Sequence, residues 1–210
     1  TAADFEAQMS KVQALSGATA GDFEKLRKSA VDLGAASTFS ASEAAEGMQN
    51  LAAAGFKTSD ILSAMPGVLN AAAASGENFA SVSDIMITAM NGFGLQAKDM
   101  GHIADVLAGA ANDSSVSIGQ IGLSMKYVGP IAKASGQSLE TMAAALAILG
   151  NAGIKADSAG TTLRMGLTRL ADPPKDAAAA LKNLGVSAID AQGKFKPLES
   201  LLGDLHGKFA

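Results

Sequence analysis

The chain has 210 residues, enough to bury a real core in one large helical domain or two small ones; it is 48% hydrophobic, 4% aromatic and without Trp. Its formal net charge is −4, and its basic residues, including just three arginines (Arg27, Arg164 and Arg169), form no stripe that would neutralise phosphates, so specific nucleic-acid binding is not expected. The absence of Cys excludes disulfides, thiol nucleophiles and Cys-based metal sites.

The apolar content comes from Ala, Leu, Ile, Val and Met, strong helix formers or small side chains that suit close-packed helices better than a sheet. The expected fold class is all-α, a compact multi-helix domain of short antiparallel helices. Thr19 with Asp22 opens a helix whose stripe is Phe23, Leu26, Ala30 and Leu33. Ser40 and Glu43 are spaced as a capping box, where hydroxyl and carboxylate each satisfy an otherwise unpaired backbone N–H. Ala44, Met48, Leu51 and Ala52 follow on one face, and Gly55 stops that helix. Thr58 is the expected cap of the next segment, which Pro66-Gly67 should kink or break.

Phe79, Val82, Met86, Met90 and Phe93 mark a further helix ended at Gly92 and Gly94; Met100, Ile103, Leu107 and Ala110 mark another. Ser117 with Gln120 forms a second capping box ahead of Ile118, Ile121, Met125 and Val128, with Pro130 near the end and Gly136 as the stop. Ser138 caps Leu139, Met142, Leu146 and Leu149, stopped at Gly153. Ala159, Leu163, Leu167 and Leu170 precede the break at Pro173-Pro174, and a short helix through Leu181 and Leu184 ends at Gly185. Residues 186–196 read as a small β-hairpin turning at Gly193, and Leu198, Leu201, Leu205 and Phe209 suggest a last helix.

The expected organisation is N-terminal helices over 1–36, a helical core over 37–184, and a hairpin with the start of a C-terminal helix over 185–210. The chain begins without Met and ends in an apparent helix, so it reads as a piece of a longer polypeptide. Gly55-Phe56-Lys57 resembles Gly153-Ile154-Lys155, each behind a Ser-capped helix, which suggests duplicated helical hairpins at 40–75 and 138–171. The most apolar stretches, 65–75 and 142–153, are too short to span a bilayer.

Catalytic chemistry is not expected. His102 and His206 are the only histidines and neither has a metal-ligand partner at a useful spacing; His102, one turn from Asp99 and Asp105, fits a solvated helix face. The paired carboxylates Glu43/Glu46 and Asp172/Asp176 fall at a helix cap and a Pro-Pro break rather than in a hydrolase arrangement. No catalytic, cofactor or metal residue is therefore assigned.

Five segments in order carry a family resemblance. They are Ser42-Glu43-Ala44 through Gly55-Phe56 to Pro66, Ala104-Asp105-Val106-Leu107, Gly136-Gln137-Ser138 to Gly153-Ile154, Ala159-Gly160-Thr161-Thr162-Leu163-Arg164, and Leu184-Gly185-Val186. Together, over roughly residues 40–200, they resemble the conserved region of phage tail tape measure proteins. The resemblance implies a virion protein of the tail tube lumen, made in the host cytoplasm. It implies a part in tail assembly and length determination and release at DNA ejection. The implied partners are the tail tube protein, tail assembly chaperones and other copies of itself. Phe56, Asp105, Gly160, Thr161, Leu163 and Arg164 are the motif positions.

A ruler gains about 1.5 Å per helical residue, on the order of 300 Å for the whole segment. Gly and Pro interrupt its helices every dozen or so residues, and burying each large apolar side chain is worth roughly 1.5–3 kcal/mol, so a compact unit is expected instead of a rod. The alternative reading is a membrane-active helical module that perturbs the host membrane at ejection.

Overall fold

A computed structural model describes residues 2–209. The described residues form eleven α-helices. They are α1 (Ala2–Ser16), α2 (Ala20–Ala36), α3 (Ala41–Ala53), α4 (Thr58–Ser75), α5 (Phe79–Phe93), α6 (Met100–Asn112), α7 (Ile118–Ala134), α8 (Leu139–Asn151), α9 (Ala156–Ala171), α10 (Lys175–Leu184) and α11 (Leu198–Phe209). A 3₁₀ turn over Ala97–Asp99 leads into α6.

The helices stack in two rows. α1 packs on α3, α3 on α5, α5 on α7 and α7 on α9, while α2 packs on α4, α4 on α6 and α6 on α8. Short turns fold α3 to α9 back beside their predecessors, and alternate helices meet because each needs cover on two sides for its apolar stripe. One continuous core results, running from Phe5 and Met9 on α1 to Leu167 on α9 and Leu198 on α11.

The caps record the period of this stack. Ser40, Asn78, Ser117 and Lys155 are the N-caps of α3, α5, α7 and α9, spaced 38 or 39 residues apart. The turns share a second signature, found on both rows, since Gly76 before Asn78 and Gly153 before Lys155 have it as well. Gly17, Gly55, Gly94 and Gly136 all have positive φ, and the residue two further on (Thr19, Lys57, Gln96, Ser138) is the next cap. Such a turn needs a left-handed residue, which Gly supplies without a Cβ clash. Segments 40–75 and 138–171 are both helix–turn–helix pairs, but the first opens in the α3 row and the second in the α8 row.

Three expectations are corrected. Pro66 lies inside an uninterrupted α4 and faces solvent, while Ile61, Ala64 and Met65 before it and Val68, Ala71 and Ala72 after it are buried. A helical Pro costs ~3 kcal/mol, less than the burial of six residues on one shared face. The cap of α4 is Lys57 rather than Thr58, and the Lys57 N–H donates to the Asp60 carboxylate at 3.3 Å. The hairpin at 186–196 shrinks to one isolated antiparallel bridge, Ile189 to Phe195, because Asp190 Oδ1 takes the Gln192 and Lys194 N–H groups into a tight turn. Val186, Ala188 and Leu201 form a satellite cluster there, packed against Leu170 and Leu181.

Candidate interaction surfaces

The boxed caps are built as their spacing requires. Ser40 N donates to Glu43 Oε2 at 2.7 Å and Glu43 N to Ser40 Oγ at 3.2 Å; Ser117 and Gln120 exchange the same pair of bonds, both at 3.2 Å. The Ser40 N–H, and then its hydroxyl, hold the Glu43 carboxyl below the ordinary carboxylate value. Ser138 Oγ accepts from Thr141 N at 3.1 Å, and Gly153 and Gly185 take positive φ at the ends of α8 and α10.

Polar side chains tie four of the turns to neighbours in the stack. Lys57 Nζ reaches Ser16 O at the end of α1 (3.4 Å), and Lys155 Nζ reaches Ser115 O before α7 (2.6 Å). The two lysines of the similar Gly-hydrophobic-Lys turns thus do equivalent work on opposite rows. Glu77, in the turn after α4, accepts the Gly119 N–H at 2.9 Å and so caps α7 from outside. Buried Gln137 accepts from Leu198 N (2.7 Å) and donates to Lys196 O (3.0 Å), fixing the start of α11 to the α7–α8 turn.

The six motif positions do not converge on one site. Phe56 is buried behind the Gly55 turn, and Leu163 packs partly buried on the main core. Thr161 is half-buried, and Asp105 is exposed on α6. Gly160 is buried where α9 crosses α7; a Cβ there would run into the Ser124 carbonyl oxygen. Beside it, Ser124 Oγ donates to Ala156 O at 2.6 Å, holding a residue whose φ of 50° is left-handed despite its Cβ.

Asp105 and Arg164 each line an open groove, on different rows. Between α7 and α9 runs a groove lined by Tyr127, Ile131 and Met165 together with Lys126, Arg164 and Arg169. None of the three cations is ion-paired among the described residues. On the other row, α8 stands as a ridge between two smaller grooves, with Ile148 70% exposed and Asp105, Asp113, Glu140 and Glu199 around it. His102 pairs with Glu140 across α6 and α8 at 2.5 Å, both side chains exposed. The Glu140 carboxyl is held low chiefly by its own backbone N–H and then by Ser138, with His102 adding to it. Sequence reasoning missed this groove and ridge because their members lie on helices whose pairing only the stack decides. Among the described residues no group of His, Asp and Glu could hold a metal ion.

Three comparisons bear on identity. The family model described as "Phage-related minor tail protein" matches residues 27–210. The tape measure protein of Pneumococcus phage Dp-1 is 48% identical over 202 residues, covering 96% of this chain and 18% of that protein. The probable tape measure protein of Escherichia phage P2 is 31% identical over 208 residues, covering 98% of this chain and 26% of its own length. No solved structure matches.

Proposed function

This chain belongs to the phage-related minor tail protein family, among tape measure proteins, and from that premise we propose that it is a folded, non-enzymatic structural unit of a tape measure protein. In this reading it serves tail assembly and length determination inside the tube, contacts the tail tube protein, and leaves with the rest of the protein at DNA ejection. The observation that carries the reading is the likeness to two tape measure proteins over nearly all of this chain. The chain spans 18% and 26% of those relatives' lengths, so the extended portion of the ruler has room to lie elsewhere.

The two-row stack supports the compact form of the role. Each row advances about 10 Å per helix, so the row of five helices covers about 50 Å, against on the order of 300 Å for one continuous helix. Deleting residues 1–210 from the parent gene and measuring tails by electron microscopy tests both parts. Tails shorter by about 50 Å, or no tails at all, are expected. Shortening near 300 Å would show a rod, and full-length infectious tails would remove the segment from assembly and measurement alike. Among the described residues no helix is long and apolar enough to cross a membrane, and no observation favours the membrane-active alternative.

A further inference from the structure

We propose that the α7–α9 groove receives the α8 ridge of a second copy of this chain, joining copies head to tail. The two surfaces are complementary in charge and in relief. The groove carries three cations with no ion pair among the described residues, Lys126, Arg164 and Arg169, beside the apolar surface of Tyr127, Ile131 and Met165. The ridge carries Glu140, Ala144 and Ile148 in one line along α8, four residues apart. Asp105 and Asp113 stand on its α6 side and Glu199 on its α11 side.

A ridge of one helix fits the channel between two adjacent helices, the relation that ordinary helix packing uses. Ile148, at 70% exposure, is the apolar anchor for that groove, while Ala143 and Ala147 on the same helix are buried and seat α8 on the core. Met165 is itself 45% exposed, so both halves of the contact present apolar surface to water in the isolated chain. Arg and Tyr are among the side chains that carry interface energy most often.

The groove is lined by α7 and α9 and the ridge by α8 with α6 and α11 beside it, two surfaces that share no residue, so the contact is heterologous. Such contacts propagate instead of closing into a two-fold pair. A nucleic acid suits the groove less well: three cations on a chain of net charge −4 give few phosphate contacts, and Ile148 would have no place in such a complex. The proposal goes beyond the assembly role and stands or falls separately from it.

Sedimentation velocity of this chain over rising concentration, at low and high salt, tests it. The expected result is reversible, concentration-dependent association that weakens with added salt. The groove variant Arg164→Glu/Arg169→Glu, the ridge variant Asp105→Lys/Asp113→Lys and Ile148→Asp should each weaken it at least tenfold, with circular dichroism unchanged. Mixing the groove and ridge variants should restore association, because the unaltered ridge of one meets the unaltered groove of the other. A chain that stays monomeric throughout, or association indifferent to these changes, would overturn the proposal. So would a monomeric chain whose groove binds a single-stranded oligonucleotide probe and loses it on Arg164→Glu/Arg169→Glu.

Discussion

Gly160 meets the backbone of Ser124 with no room between them for a methyl group, and this contact sets how closely α9 lies on α7. Backbone cannot move aside as a flexible side chain can. Gly160→Ala should therefore cost about 1–3 kcal/mol by forcing the two helices apart, despite Ala being the better helix former. Gly166, on the same helix, has nothing within 4 Å of the position its Cβ would take. Gly166→Ala should be neutral or stabilise by up to about 1 kcal/mol. Urea denaturation of the pair checks both signs, and equal effects at the two sites would show that α9 does not lie this close.

Glu77 holds α7 by its first turn although it belongs to the preceding turn of the stack. Glu77→Ala leaves the Gly119 N–H to solvent and removes a negative charge from a helix N-terminus. A loss of about 1 kcal/mol is expected, read as a lower urea midpoint with unchanged slope.

Gln137 joins the α7–α8 turn to the α11 segment through both ends of its amide. Gln137→Ala should free α11 while the rows through α9 stay protected. Hydrogen exchange should report faster exchange confined to residues near 195–209, and uniform loss of protection would mean that α11 is integral to the main core.

Glu43 and Glu140 have carboxyls held below the ordinary value of 4.5, each by hydrogen bonds made only in the folded chain. A depressed folded pKa contributes stability above the unfolded value and loses it as pH falls through the folded one. The melting temperature should thus decline below about pH 4.5, not above it. Glu43→Gln should shallow that decline, and an unaltered acid limb in this variant would dissociate the Ser40 contacts from it.

The all-α class, nearly every helix and most caps were legible in the sequence because helix formation is written locally. Ser40 three residues before Glu43, or Gly136 two before Ser138, satisfies backbone groups within one turn. Pro66 does not break its helix, for the complementary reason: its local penalty is real, yet Met65 and Val68 on either side bury against one core that no local window contains. The recurrence of Gly, one residue and a cap at Gly17, Gly55, Gly94 and Gly136 was a signal for the stack. It was obscured by the louder likeness of the Gly55 and Gly153 turns, which open onto opposite rows.

The sequence by itself determined which residues form helices, where those helices stop, and the likeness to tape measure proteins. Only the tertiary structure decided that alternate helices stack in two rows, that Lys57 and Lys155 each tie back to the turn before, and that Arg164 faces a groove while Gly160, four residues earlier, is sealed inside. Caps and turns are satisfied within a few residues of chain. Burial is a property of surfaces, and the partner surface for each stripe lies some 38 residues away along the chain.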